Sequence, residues 1–206
     1  MNASPATPWP PVRRLLYLHG FRSSPLSFKA GRLGAWLAAH RPEVRWCCPQ
    51  LPPAPAEAIA LAERGTADWP DDAESAVVGS SLGGFYATVL AERHPQWRAA
   101  VLNPAVDPAR DLVHYVGEQT AYHRPELHFE FRAADVDALR ALAPGPITRP
   151  ERYFALLAKG DELLDWREMS ARYAGAEQLL LDGSDHALSD FDAHLPRLLS
   201  FLGLAG

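Results

Sequence analysis

The sequence contains little cysteine, since only Cys47 and Cys48 occur among 206 residues and they are adjacent. Adjacent cysteines have poor geometry for an ordinary disulfide, and two thiols are too few for a structural zinc site. We therefore expect both to be small strand residues in a protein of the reducing cytoplasm.

Positive charge and long apolar segments are also scarce. Lysine and arginine total 20 against 25 aspartate and glutamate residues, so the formal net charge is −5. Because nucleic acids are bound through an excess of basic residues, we expect no nucleic-acid partner. No apolar run approaches the roughly 20 residues of a membrane helix, so we expect no membrane span. Residues 1–11 lack the basic and apolar regions of a signal peptide, and we expect a mobile N-terminal tail there.

The remaining composition is typical of one globular domain. Hydrophobic residues make up 48% of the chain, whose length suffices for one substantial core but is short for two. We expect a single domain over residues 12–206. Strand and helix patterns alternate along it, which predicts an α/β protein with a mostly parallel sheet of about six strands and helices on both faces. The predicted strands lie within residues 13–20, 44–49, 76–78, 98–105, 153–158 and 177–181.

The most informative motif is G-x-S-x-G at residues 79–83. Apolar residues 76–78 precede it as the end of a buried strand, and the apolar residues after Ser81 have helical spacing. A serine on such a strand-to-helix turn is raised above the carboxyl end of the sheet. Glycine is needed at positions 79 and 83 because a side chain would collide with the neighbouring strand or helix. The pattern predicts a nucleophile elbow at Ser81, and the alternative is a structural turn that merely contains serine.

A base and an acid follow the serine in the sequence. A serine hydroxyl is a weak nucleophile, so it needs a base and a third group that orients the base. His186 and Asp161 each follow a predicted strand, which would place both at the sheet edge that carries Ser81. Asp165 is an alternative acid, although its position favours a helix cap. The order serine, acid, histidine is that of α/β hydrolases, and we interpret Ser81, Asp161 and His186 as a catalytic triad.

Two backbone N–H groups must bind the oxyanion that forms when such a serine attacks a carbonyl group. The residue after the nucleophile supplies one, and the loop after an earlier strand supplies the other. Leu82 and Phe21 occupy these two positions. His19 precedes the same loop, and its place at the strand end favours bracing the loop over a catalytic role.

Residues 107–149 differ from the rest of the chain. They contain four prolines and mixed charges, with only weak helical patterns. We expect a small cap-like insertion over the carboxyl end of the sheet, with Tyr115 and Tyr122 as candidate substrate-binding residues. The alternative is an irregular surface segment that contacts no substrate.

Five motifs together resemble the small YqiA-type bacterial esterases of the α/β-hydrolase superfamily. The resemblance extends from about residue 15 to residue 203, and the combination is more specific than any one motif. The motifs are YLHGFRSSP at 17–25, GSSLGGF at 79–85, LNPAV at 102–106, GDELLD at 160–165 and DH at 185–186.

This resemblance implies a compact α/β-hydrolase fold, with Ser81 as nucleophile, Asp161 as acid and His186 as base, acting on carboxylic esters or acyl thioesters. Arg22 departs from the family pattern, in which a small polar residue such as asparagine is expected at this position. Beside the oxyanion loop it is a candidate for attracting a substrate carboxylate or phosphate, and the alternative is a solvated arginine.

The sequence therefore predicts a serine hydrolase that cleaves small-molecule carboxylic esters through an acyl-enzyme. No P-loop, dinucleotide fingerprint or H-E-x-x-H motif occurs, so we expect neither a metal nor another cofactor. One alternative is an acyl-thioester hydrolase, which would use the same residues. The other is a hydrolase-fold binding or regulatory protein whose triad is inactive.

Overall fold

Uninterrupted apolar segments form the strands at the centre of this protein. The computed structural model describes residues 9–205. Such segments are typical of parallel sheets, because both faces of these sheets are covered. The strands of the sheet are β1 (Arg14–Leu18), β2 (Arg45–Cys47), β3 (Ser75–Ser80), β4 (Arg98–Leu102), β7 (Tyr153–Ala158) and β8 (Glu177–Leu181). They pair in the order β2-β1-β3-β4-β7-β8, and every pairing is parallel. The predicted six-stranded parallel sheet is confirmed.

Helices cover both faces of the sheet because successive side chains of each strand point to opposite faces. In β7, for example, Tyr153 joins one buried apolar cluster and Phe154 joins the other. The helices are α1 (Phe28–His40), α2 (Pro55–Gly65), α3 (Leu82–Arg93), α4 (Pro108–Leu112), α5 (Ala133–Leu142), α6 (Trp166–Arg172) and α7 (Phe191–Phe201). Apolar side chains of α1 and α7 belong to one cluster, and those of α2, α3 and α6 belong to the other.

The segment between β4 and β7 contains a small structure of its own. After α4, strands β5 (Gly117–Ala121) and β6 (Arg124–Phe131) form an antiparallel hairpin, which α5 follows. Sequence analysis predicts the helices but not the hairpin. Polar and apolar residues alternate over 126–131 of β6, which is a strand signal, but β5 has no apolar pattern and the turn between the strands has no glycine or asparagine. The turn of the hairpin contacts the loop after β1, where the Tyr122 N–H donates to the Arg22 carbonyl oxygen at 2.8 Å.

The start of the described chain packs beside the end of α7. Residues 1–8 of the expected N-terminal tail lie outside the described residues. Within the tail, the Pro10 carbonyl oxygen accepts a hydrogen bond of 2.6 Å from the Arg98 guanidinium, and the Val12 N–H that follows donates to the Leu202 carbonyl oxygen at 3.0 Å. Cys47 ends β2, and both cysteines have free thiols. In the part of the chain that the structure describes, every helix is too short or too polar to span a bilayer.

Candidate active site

Ser81 lies on the turn that joins β3 to α3. Its φ of 56° and ψ of −123° are values that side-chain-bearing residues rarely adopt, so the turn stores backbone strain. The Ser81 N–H donates to the Leu102 carbonyl oxygen, and the Ser81 carbonyl oxygen accepts from the Ala105 N–H, both at 3.0 Å. The N–H and the carbonyl oxygen of Ser81 are therefore both held by hydrogen bonds, one to the last residue of β4 and one to the loop that follows it.

Gly79 and Gly83 allow the close packing that surrounds this turn. A Cβ atom at position 79 would lie 2.0 Å from the Gly83 carbonyl oxygen, and one at position 83 would lie 2.0 Å from the Leu18 carbonyl oxygen. Either contact is far inside van der Waals distance, so only glycine fits. The start of α3 is thereby packed directly onto the backbones of β1 and β3.

The three predicted triad side chains form one hydrogen-bonded chain. Ser81 Oγ lies 3.1 Å from His186 Nε2, and His186 Nδ1 lies 2.8 Å from Asp161 Oδ2. The Asp161 side chain is fully buried, and its Oδ1 accepts from the N–H groups of Leu163 at 2.8 Å and Leu164 at 2.9 Å. A carboxylate only accepts hydrogen bonds, so Nδ1 of His186 carries the proton and Nε2 is free to accept from the serine hydroxyl.

The neighbouring carboxylates have other partners. Asp165 caps α6 by accepting from the Arg167 N–H at 2.9 Å, as its sequence position favours. The Asp185 carboxylate accepts from the Ser189 N–H, and this bond lowers the pKa of Asp185. Glu162 accepts from the His186 N–H at 3.0 Å. Asp161 is thus the carboxylate in contact with the His186 ring.

Phe21 and Leu82 present their N–H groups near the serine. Leu82 is the first residue of α3, where helical N–H groups have no intrahelical partner. Phe21 follows Gly20, at which an added Cβ atom would lie 3.6 Å from Ser81 Oγ. Within residues 9–205, no oxygen atom accepts a hydrogen bond from either N–H group. Both N–H groups are therefore without a partner in this part of the chain.

His19 is buried beneath the loop that carries Phe21. Its Nε2 accepts from the Leu51 N–H at 3.0 Å, and its Nδ1 donates to the Gly20 carbonyl oxygen at 3.0 Å. Burial lowers the pKa of His19, which favours this neutral form. The ring contacts the loop, in agreement with the bracing interpretation.

Arg22 joins the same loop to the β5–β6 hairpin. Its Nε donates to the Thr120 carbonyl oxygen at 2.7 Å, and its guanidinium carbon lies 4.5 Å from the centroid of the Tyr122 ring. The Arg22 backbone has a φ of 59°, a left-handed conformation. The side chain is therefore bound within the protein as well as close to the candidate site.

One cavity contains the serine and the histidine. Its volume is about 330 Å³, and we call it the serine cavity. Tyr115 and Tyr122, both candidates from the sequence, line it, together with the carboxylate-bearing residues Asp111 and Glu162. The volume lies within the range of roughly 300–1,000 Å³ that is usual for small-molecule sites.

A second cavity adjoins the serine cavity at Phe21 and Leu82. Its volume is about 390 Å³, and we call it the loop cavity. Phe21 and Leu82 line both cavities, whereas Arg22 lines only the loop cavity and Ser81 only the serine cavity. Other residues of the loop cavity are Leu51, Pro52, Pro53, Tyr86, Leu127 and Phe129.

Asn103 is a site residue to which sequence analysis assigns no role. It is fully buried at the end of β4, with a φ of 42°. Its Nδ2 donates to the carbonyl oxygens of Asp185 at 2.9 Å and His186 at 3.3 Å, and its Oδ1 accepts from the Ala158 N–H at 2.8 Å. The sequence did contain a signal for this residue, which is an asparagine directly after a buried strand and before a proline. Asparagine tolerates left-handed backbone conformations, so it is a residue expected where a strand ends in a tight turn.

Solved structures with the same architecture are α/β hydrolases and lipolytic enzymes. Alpha/beta hydrolase domain-containing protein 10 from mouse is 15% identical, with a TM-score of 0.67 over 92% of this chain and 90% of that one. A chain from the work on LipS and LipT, two metagenome-derived lipolytic enzymes, is 20% identical, with a TM-score of 0.64 over 98% and 99%. A monoacylglycerol lipase from Paleococcus ferrophilus is 12% identical, with a TM-score of 0.63 over 95% and 97%. These similarities confirm the α/β-hydrolase fold.

Family membership follows from the sequence itself. Residues 14–203 match the model of the group described as Uncharacterised protein family (UPF0227). The match covers nearly the whole domain and includes every residue of the hydrogen-bonded chain around Ser81. The chain therefore belongs to the UPF0227 family, which is the YqiA family.

Proposed function

We propose that this protein is a serine hydrolase that cleaves carboxylic esters through an acyl-enzyme intermediate. The observation that carries the proposal is the hydrogen-bonded chain from Ser81 Oγ through His186 to Asp161, at 3.1 and 2.8 Å. In the first step, Ser81 Oγ attacks the ester carbonyl carbon while His186 Nε2 takes the hydroxyl proton. Asp161 holds the ring orientation and stabilises the imidazolium that forms.

The tetrahedral intermediate places a negative charge on the former carbonyl oxygen. The N–H groups of Phe21 and Leu82 donate to this oxyanion, and the start of α3 adds its favourable dipole. His186 then gives its proton to the leaving alcohol oxygen as the ester C–O bond breaks. Water attacks the acyl-enzyme with His186 again as base, which releases the acid and restores Ser81.

The two cavities support a small-molecule ester as substrate. Each has a volume usual for small-molecule sites, and the serine cavity gives access to both Ser81 and His186. The monoacylglycerol lipase and the lipolytic enzymes named above have the same fold, which adds support by analogy.

The proposal is tested with p-nitrophenyl esters from acetate to long acyl chains, and with a fluorophosphonate probe. We expect the wild type to hydrolyse at least one ester and to be labelled at Ser81. Ser81→Ala should lower kcat by about 10³-fold or more and abolish labelling, because the nucleophile is removed.

A matched pair of variants tests the acid. Asp161→Asn should lower kcat by about 10³-fold or more, because the amide no longer fixes the proton on Nδ1 of His186. Asp165→Asn should retain activity, because asparagine also caps helices well. A correctly folded wild type with neither hydrolysis nor labelling would indicate a binding protein. Parallel assays with acyl thioesters show whether the protein prefers an ester or a thioester as substrate.

A further inference from the structure

We propose that the loop cavity binds the acyl chain of the ester and that the serine cavity binds its leaving alcohol. The assignment rests on the proposed function, because it concerns the acyl chain and the alcohol on either side of the ester carbonyl carbon that Ser81 would attack. It names the substrate class as an ester that combines an apolar acyl chain with a polar, hydroxyl-bearing alcohol.

The position of the base determines the place of the leaving group. His186 Nε2 must protonate the alcohol oxygen as the C–O bond breaks, so this oxygen has to lie within hydrogen-bond distance of the ring. His186 lines the serine cavity and not the loop cavity. The alcohol therefore extends into the serine cavity.

The acyl chain then needs a route on the opposite side of the oxyanion. Phe21 and Leu82, whose N–H groups would hold the oxyanion, line both cavities. Gly20 also lines the loop cavity, and a Cβ atom there would lie 3.6 Å from Ser81 Oγ. Because glycine has no side chain, the passage from the serine into the loop cavity stays open.

The polarity of the loop cavity agrees with an acyl chain. Leu51, Pro53, Tyr86 and Phe129 contribute apolar surface to its lining. Its charged residue, Arg22, donates to the Thr120 carbonyl oxygen and stacks over Tyr122, so the guanidinium already has partners in the protein. An alkyl chain can therefore enter without removing water from an unpaired charge.

The serine cavity is also lined mainly by apolar side chains, but it is more polar than the loop cavity because two carboxylates line it. Asp111 Oδ1 accepts from Arg110, whereas Asp111 Oδ2 is buried and has no hydrogen-bond partner among residues 9–205. Glu162, the second carboxylate, is exposed at the same cavity. Because Asp111 Oδ2 is out of reach of solvent, the exposed Glu162 carboxylate is the one to which a hydroxyl group of the alcohol can donate, whereas an alkyl chain beside it would displace water from its charge.

Two exposed leucines provide a matched test. Leu127, 49% exposed, lines the loop cavity, and Leu163, 60% exposed, lines the serine cavity, so tryptophan at either position adds volume to one cavity without disturbing the core. With p-nitrophenyl acetate, butyrate and octanoate, we expect Leu127→Trp to lower kcat/KM for octanoate relative to acetate by about tenfold or more. Leu163→Trp should change kcat/KM for all three esters by the same factor.

A second comparison tests the alcohol. Wild type should prefer a glycerol monoester over the methyl ester of the same acid, and Glu162→Ala should reduce that preference by about tenfold. Glu162→Gln, which keeps an acceptor for the His186 N–H and for the hydroxyl group, should reduce the preference less.

The outcomes separate the two proposals. Wild-type hydrolysis that survives Ser81→Ala overturns the proposed function, and absence of hydrolysis on every ester does the same. Hydrolysis that depends on Ser81, but with a chain-length profile altered by Leu163→Trp and not by Leu127→Trp, overturns only the assignment of the cavities. Equal losses on the glycerol and methyl esters in Glu162→Ala overturn the hydroxyl-bearing alcohol.

Discussion

The side-chain amide of Asn103 donates a hydrogen bond of 2.9 Å to the carbonyl oxygen of Asp185, the residue before His186. These residues follow β4 and β8, which are separated in the sheet by β7. The Asn103 Oδ1 atom also accepts from the Ala158 N–H at the end of β7. One buried side chain thus links three strand ends and positions the loop that carries His186.

Replacement of Asn103 by leucine should therefore impair both stability and catalysis. The Asp185 carbonyl oxygen and the Ala158 N–H would lose a partner, at about 1–3 kcal/mol for each group that stays buried and unsatisfied. Urea unfolding should show this loss, and kcat should fall more than KM changes, because the His186 loop is no longer fixed. Asn103→Asp keeps the acceptor for Ala158 but sets a buried carboxylate against the Asp185 carbonyl oxygen, so it should be destabilised as well. A fully active Asn103→Leu would contradict the positioning role.

Strain at Ser81 predicts a difference between two inactive variants. Glycine adopts a φ of 56° without steric cost, whereas alanine keeps the strain of the native turn. After allowance for the greater freedom of glycine in the unfolded chain, Ser81→Gly should be more stable than Ser81→Ala by about 1 kcal/mol. Urea unfolding of both variants measures the difference. Equal or reversed stabilities would show that the turn is not strained in solution.

The two interpretations of Arg22 predict different substrate dependence. Asparagine at this position tolerates the left-handed backbone but removes the contacts to Thr120 and Tyr122. We expect Arg22→Asn to lower kcat by about tenfold on neutral and carboxylate-bearing esters alike, because the loop that carries the Phe21 N–H is less well held. Steady-state kinetics on such an ester pair provides the measurement. A loss confined to the anionic ester would instead indicate direct binding of the substrate charge.

His19 predicts a pH dependence of stability. Burial lowers its pKa below the usual 6.5, so in mildly acidic solution the unfolded chain binds a proton that the folded chain does not. The free energy of unfolding should therefore fall as pH decreases through 6.5, by up to about 1.4 kcal/mol per pH unit until the folded-state pKa is reached.

Urea unfolding at several pH values between neutral and mildly acidic conditions measures this slope in the wild type and in His19→Gln. The variant cannot titrate at this position, so its stability should depend less on pH. Identical slopes in the two proteins would assign the acid sensitivity to other groups.

The sheet could be predicted from the sequence because each strand is a short apolar run bounded by polar or turn residues. The candidates Ser81, Asp161 and His186 could be proposed because each follows such a run, which places it at the carboxyl edge of the sheet. Their mutual distances could not, since they depend on the strand order. Only the fold places β7 next to β4 and β8 next to β7.

The hairpin and the cavities could not be predicted for a different reason. Polar and apolar residues alternate over 126–131 of β6, but its partner β5 has no apolar pattern and no typical turn residue marks the connection between the two strands. The loop cavity combines residues from the hairpin with Leu51 and Tyr86, which are far apart in sequence. The role of Asn103 likewise depends on three strand ends that meet only in the folded protein.

The direct pairing of β4 with β7 has a practical consequence. Ala99 pairs with Tyr153 and Leu102 with Leu156, so the chain leaves the sheet at one strand and returns at its neighbour. The hairpin between these strands contributes walls to both cavities but no member of the hydrogen-bonded chain around Ser81. Its Thr120 carbonyl oxygen and Tyr122 ring contact Arg22, so hairpins grafted there to change the cavity walls should keep these two contacts, which hold the loop that carries Phe21.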